Sequence, residues 1–182
     1  RQTGDMVHQF LGTQISTYHD PWTAIGEALH SGCMCVHVPK GVHAEIPLRF
    51  LQWFSGEGSL AAPRSVVAVE THASITVLEE MISETGESPS LYLGGTELFI
   101  GADAKLTFAS LQAWGRNVFH YPYGPVQMGA TADLLCVQVI VGWRMPKTNT
   151  LYTLHCQAAQ ALAPGFLCRR QPAPFHLPTR PP

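Results

Sequence analysis

The chain has 182 residues, 46% of them hydrophobic and only 13% charged, with a formal net charge of -2, which is enough apolar material for one sizeable core. This balance excludes the basic surface of a nucleic-acid binder and the acidic tail of a solvating segment. No apolar run approaches the roughly 20 residues that cross a bilayer and no signal peptide is visible, so no membrane partner is expected and the cytoplasm is the expected compartment.

The first elements read as helical, forming a segment over residues 1–32. Met6 to Leu11 suits a short helix. Asp20-Pro21 is a helix start, an acidic cap followed by proline, and Trp22, Ile25, Ala28 and Leu29 then recur at helical spacing before Ser31-Gly32 ends the element. From Cys33 the period drops to two: Val36, Val38, Val42, Ala44, Ile46 and Leu48 alternate with polar or turn residues, which predicts a strand system with one buried face. Pro39 and Pro47 belong at strand ends or corners.

A longer period overlies the short one. Gly41 to Leu48, Glu70 to Val77, Gly101 to Phe108, Gly129 to Cys136 and Cys156 to Ala163 share one pattern of turn, small residue and alternating strand. Their anchors are Ala44, Ala73, Ala104, Ala132 and Ala159, at spacings of 29, 31, 28 and 27 residues. Self-similarity at that period predicts stacked supersecondary units. The fold expected is therefore all-β with a short N-terminal helical segment, a right-handed parallel β-helix over 33–163, in place of a sandwich whose strands recur every 8 to 12 residues or so. Residues 164–182 contain Pro164, Pro172, Pro174, Pro178, Pro181 and Pro182 and predict an irregular tail. That ending, with an opening on Arg1, reads as a piece of a longer protein.

Four stretches carry a resemblance. Ser31 to Val42, with its Val-Pro-Lys-Gly-Val ending, and then Glu45-Ile-Pro-Leu48 resemble a signature of the SufB/SufD family of iron-sulfur cluster assembly proteins. Thr23 to Leu29 resembles that family's helix before the β-core, Val66 to Glu80 its strand closing on paired glutamates, and Leu111 to Tyr121 its Trp-Gly-Arg-Asn run. The wording is closer to SufD than to SufB. The resemblance implies a parallel β-helix that pairs with a SufB-like paralogue, a SufC-type ABC ATPase bound through a C-terminal helical domain that is expected to be absent from this chain, and a transient iron-sulfur cluster in the assembled complex, with no cofactor bound in isolation. SufC capture by this chain is accordingly expected to be weak or absent.

Two groups of residues invite chemistry. Cys33, Cys35 and His37, spaced by two, fall on one strand face about 6.5 to 7 Å apart, and thiolates with an imidazole suit a soft metal; the competing reading is small buried apolar cysteines. The family resemblance does not place cysteines here. Trp114, Arg116, Asn117 and His120 combine residue types favoured at interfaces, or else seal a turn between coils. Glu79 and Glu80 are adjacent and face opposite ways on a strand, which removes them as an acid-base pair. Lys40 reads as a corner residue that snorkels or meets a carboxylate such as Glu45. Five cysteines at irregular spacing do not form a secreted disulfide framework, and reduced thiols are expected. No phosphate loop or nucleophile elbow occurs. The expected function is a non-enzymatic SufD-like scaffold. Its rivals are a β-helix carbohydrate-active enzyme, which needs acids converging from neighbouring coils, and a stand-alone metal module on Cys33, Cys35 and His37.

Overall fold

In the computed structural model, which describes residues 9–13, 21–141, 149–154, 160–162 and 165–168, the backbone repeats a three-sided path. Each coil contributes one strand to each of up to three parallel sheets. The first sheet holds β1 (Cys33–Val38), β4 (Arg64–Val69), β7 (Gly95–Ile100), β10 (Tyr123–Met128) and β12 (Asn149–Leu154). The second holds β2 (Leu48–Phe54), β5 (Ser74–Ser83), β8 (Lys105–Ala113) and β11 (Asp133–Val141), followed by β13 (Gln160–Leu162) and β14 (Gly165–Cys168), both paired with β11. The third is narrower: β3 (Leu60–Ala61), β6 (Ser90–Tyr92) and β9 (Val118–His120). The chain is a parallel β-solenoid, as the repeat predicted. The stack continues through β14, into the 164–182 stretch expected to be irregular, because Gly165 to Cys168 find ladder partners on Gln138 to Val141.

Registry between coils reproduces the repeat spacing. Ser74 pairs with Lys105 and Lys105 with Asp133, offsets that match the steps from Ala73 to Ala104 to Ala132. Those three alanines are buried in the core. Each closes a turn in which its amide donates to the carbonyl three residues back, on Glu70, Gly101 and Gly129. The residue before each alanine, His72, Asp103 and Thr131, has a positive φ of 59°, 56° and 54°, the left-handed conformation that a tight corner demands at its third position. Close stacking explains the glycines that open two of these corners. A Cβ on Gly101 would lie 2.6 Å from the Thr71 backbone nitrogen, and one on Gly129 would lie 2.7 Å from that of Ala102.

The first coil departs from this scheme. His43 bridges to Ser74, so Ala44 lies beside Ile75 and not over Ala73, whereas Leu48 pairs with Val77. Two extra residues are accommodated at the bend around Ile46, which is 84% exposed. The alternation read from Val36 to Leu48 therefore buries Val38 but leaves Val42, Ile46 and Leu48 exposed, since among the described residues the first coil has a neighbouring coil on one side only.

Inside the stack, aliphatic columns such as Ile75, Leu106 and Leu134 fill the end near the alanine corners. Phe54, Met81, Tyr92, Trp114, Val118 and Ile140 fill the opposite end. Each fully buried Val, Leu, Ile or Phe contributes on the order of 1.5–3 kcal/mol. The helix α1 (Pro21–Ala28) packs on the outside of the first sheet, through a face other than the one its apolar spacing suggested. Thr23 and Gly26 are buried, whereas Trp22, Ile25 and Leu29 are largely exposed. A β-carbon on Gly26 would lie 3.1 Å from the Leu93 carbonyl oxygen, so the helix approaches through its small residues.

Candidate functional site

Between the two apolar ends lies a polar layer that interrupts the inward-facing columns. Inward positions on β5 and β8 run Ile75, Val77, Glu79, Met81 and Leu106, Phe108, Ser110, Gln112. Glu79 is buried at 1% exposure. Its carboxyl accepts from the Gln52 side-chain amide at 3.0 Å and the Thr96 hydroxyl at 3.1 Å. Gln52 also accepts from the Tyr92 hydroxyl and donates to Ser65. Burial pushes the Glu79 carboxyl up to about 7, against the pull of hydrogen bonds from Thr96, Ser65, Ser110 and Gln52. Beside it a cavity of about 40 Å³, of the size of one or two water molecules, is lined by Glu79, Thr96, Ser110, Gln112, Cys136 and Gln138 among others. Burial, and to a lesser degree Glu79, pushes the Cys136 thiol up to about 11. The layer therefore holds an acid that exchanges its proton near neutrality and a thiol that keeps its own. The sequence carries a trace of it: Glu79, Ser110 and Gln112 fall in the apolar phase of their strands.

A second polar cluster fastens α1 to the first sheet. Arg64, 1% exposed, donates to Glu27 of α1 and to Glu97 of β7, itself fully buried. Its guanidinium lies 5.6 Å from the Tyr123 ring centre, and the Tyr123 hydroxyl donates to Glu27 at 3.1 Å. Glu97 also accepts from the Gly12 amide at 2.8 Å, and Phe10 packs at a tilt against Phe99 with centroids 4.9 Å apart. One arginine thus ties both described N-terminal pieces to the solenoid.

The residues expected to bind metal lie on β1, the edge strand of that sheet. Cys33 is exposed and Cys35 partly so. His37 is turned to Glu70, with Nε2 2.9 Å from the carboxylate. That hydrogen bond first, then the Lys40 amide, holds the Glu70 carboxyl below its ordinary range. Burial raises both thiols, and Cys35 raises Cys33 further, which keeps them protonated. Among the described residues, no three His, Cys, Asp or Glu side chains converge in a way that could hold a metal ion. Lys40 meets Glu70 through its backbone amide rather than reaching Glu45 through its ammonium. Cys156 lies outside the described residues.

The residues expected at an interface are mostly interior. Trp114, Asn117 and His120 are 4%, 7% and 3% exposed, and only Arg116 faces solvent. Asn117 accepts from the Gly86 amide at 2.9 Å and donates to the Ser88 carbonyl at 3.0 Å, sealing one coil's turn onto the next. Trp114 and His120 pack at a tilt with centroids 4.6 Å apart and Tyr92 completes the group. Burial pushes the His120 imidazole down to about 3 and keeps it neutral. This cluster belongs to the core, so the interface expectation is corrected for these three residues. Glu79 and Glu80 do point oppositely, the second pairing outside with Arg49 at 2.7 Å.

A parallel solenoid with a polar layer inside it, its N-terminal pieces pinned by a buried arginine, defines a β-helix core domain. A family model described as SUF system FeS cluster assembly, SufBD core domain, matches residues 52–171, and the chain belongs to that family. It is 22% identical over 120 residues to an iron-sulfur cluster assembly SufBD family protein of Staphylococcus saprophyticus, and 21% identical over the same length to one of Staphylococcus epidermidis. It is also 22% identical over 120 residues to the iron-sulfur cluster assembly protein SufB of Bacillus subtilis. Each alignment covers 66% of this chain and 26% of the relative, so the chain spans about a quarter of the length of the proteins it matches. No helix among the described residues is long and apolar enough to cross a membrane.

Proposed function

We propose that this chain is the β-helix core of a SufD-like subunit, a scaffold without turnover of its own that acts in the cytoplasm. It pairs with a SufB-like paralogue so that a nascent iron-sulfur cluster, its cargo, is assembled and passed on by the complex. The observation that carries this reading is the coincidence of the SufBD core match, residues 52–171, with the stack from β2 to β14. The choice of SufD over SufB rests on the wording of residues 23–29, 66–80 and 111–121. A carbohydrate-active enzyme would need acids converging from neighbouring coils. Here Glu70 is tied to His37, Glu79 is enclosed, Glu97 is bonded to Arg64 and Asp103 accepts from Thr131.

The test is co-expression with a SufB-like paralogue and a SufC-type ATPase, followed by anaerobic reconstitution with iron and sulfide. Copurification with the paralogue, with cluster absorbance only in the complex and little SufC retained by this chain alone, is the expected result. Failure to bind the paralogue at micromolar concentration, or cleavage of a polysaccharide by the purified chain, would overturn the reading.

A further inference from the structure

The third and narrowest sheet carries an apolar groove on its outward face. Leu60, Leu91 and Phe119 are ladder partners on β3, β6 and β9, and their strand neighbours Ser90, Tyr92, Val118 and His120 are buried, so this column points outward and forms the floor of the groove. Trp22 of α1 and Tyr121 form a wall, their ring centroids 6.2 Å apart. The groove encloses about 620 Å³, and both Trp22 and Leu60 are 45% exposed. Its flank is acidic. The corners leading into β3 and β6 carry Glu57, Glu84 and Glu87, all exposed, and Glu57 accepts from the Glu87 amide at 2.7 Å, which draws two of the acids together. None of the three has an ion-pair partner among the described residues, and the corner before β9 carries one exposed cation, Arg116. An aromatic groove beside an acidic flank suits an extended proline-rich segment that begins with basic residues.

We propose that residues 169–182 of this same chain occupy the groove as a polyproline II strap, with the prolines and Phe175 on the Leu60, Leu91 and Phe119 floor and Arg169 and Arg170 against the acidic corners. The segment has the required chemistry: after Arg169-Arg170 come Pro172, Pro174, Pro178, Pro181 and Pro182. Proline loses little freedom on docking and brings no N–H to an apolar floor. It also starts at the right place. Cys168 pairs with Val141, Val141 with Ala113, Ala113 with Ile82 and Ile82 with Trp53, so Arg169 leaves the second sheet at the same end from which the acidic corners lead into the third. Four ladder steps of about 4.8 Å, and about seven residues at 3.3 Å along a coil, put the far side of the groove about 30 Å away. Fourteen residues of polyproline II at about 3.1 Å each span about 43 Å. A tether this short gives an effective concentration of about 1 mM, so a contact with an intrinsic dissociation constant of about 0.1 mM is closed about nine-tenths of the time. The inference does not depend on the assignment to the SUF system, since it uses only the groove and the residues that follow β14.

Acrylamide quenching of Trp22 fluorescence, taken as the difference between the wild-type chain and Trp22→Phe, tests it. Trp22 is expected to be shielded in the wild-type chain. Pro172→Gly, Pro174→Gly and Pro178→Gly made together lie beyond the last ladder residue and leave the solenoid untouched. They should weaken docking about tenfold, raising the open fraction from about one-tenth to about one-half and the Trp22 quenching with it. A synthetic peptide of residues 169–182, added to this variant at millimolar concentration, should restore the shielding. Equal Trp22 quenching in the wild-type chain and the variant overturns the proposal, and this includes a Trp22 that is shielded only after another protein is added. Shielding that disappears on dilution assigns the groove to the tail of a second copy and overturns it too, as does a peptide that restores nothing.

Discussion

Glu79→Gln isolates the one acid that the solenoid encloses. The Glu79 carboxyl begins to lose its proton near 4.5 in the unfolded chain but only near 7 in the folded one. Between those values the unfolded state binds fewer protons than the folded state, so stability falls as pH rises. The contribution of the neutral acid is complete below about pH 4.5 and gone above about pH 7. A gap of about 2.5 pH units at about 1.4 kcal/mol each corresponds to about 3 kcal/mol. Glutamine keeps the shape and an accepting oxygen for Thr96 and Gln52 but does not titrate. Urea unfolding followed by circular dichroism from pH 4.5 to 8 should therefore show the wild-type chain losing up to about 3 kcal/mol relative to Glu79→Gln, with the two near parity at the acidic end. The histidines and exposed acids titrate equally in both proteins and cancel in the difference. A difference that stays constant across this range would refute the argument that burial holds the Glu79 carboxyl neutral.

Two further outcomes follow from the packing. Arg64→Ala leaves the fully buried Glu97 and its neighbour Glu27 without their shared cation, and a loss of about 3–5 kcal/mol is expected. It should be accompanied by faster protease cleavage near α1, because the same arginine holds the helix. Gly101→Ala drives a β-carbon to 2.6 Å from the Thr71 nitrogen of the coil beneath, and should cost about 1–3 kcal/mol as overpacking, read as a lower urea midpoint. Gly32→Ala, where a Cβ meets nothing within 4 Å, is the matched control.

Much of the architecture is legible without coordinates. Alternation at period two, overlaid on a recurrence of 27 to 31 residues, dictates stacked coils, because side chains on a strand point alternately in and out and like residues stack at like positions. The corners at Ala73, Ala104 and Ala132, and the opposite orientations of Glu79 and Glu80, follow from that periodicity alone. Period cannot determine which side of the chain has a neighbour. Val42, Ile46 and Leu48 follow the same alternation as Val67 and Val69 yet stand exposed, because among the described residues no further coil lies over the first one. Trp114 and His120 have the composition of an interface and lie in the core, since burial depends on which turn folds over them. Cys33, Cys35 and His37 share a face by spacing, but a carboxylate from the next coil, Glu70, claims the imidazole. The buried pairing of Arg64 with Glu27 and Glu97 joins residues 37 and 33 positions apart. Local sequence determines which way each side chain points along its strand; only the winding of the chain decides what it meets there, because those partners arrive from neighbouring coils about thirty residues away.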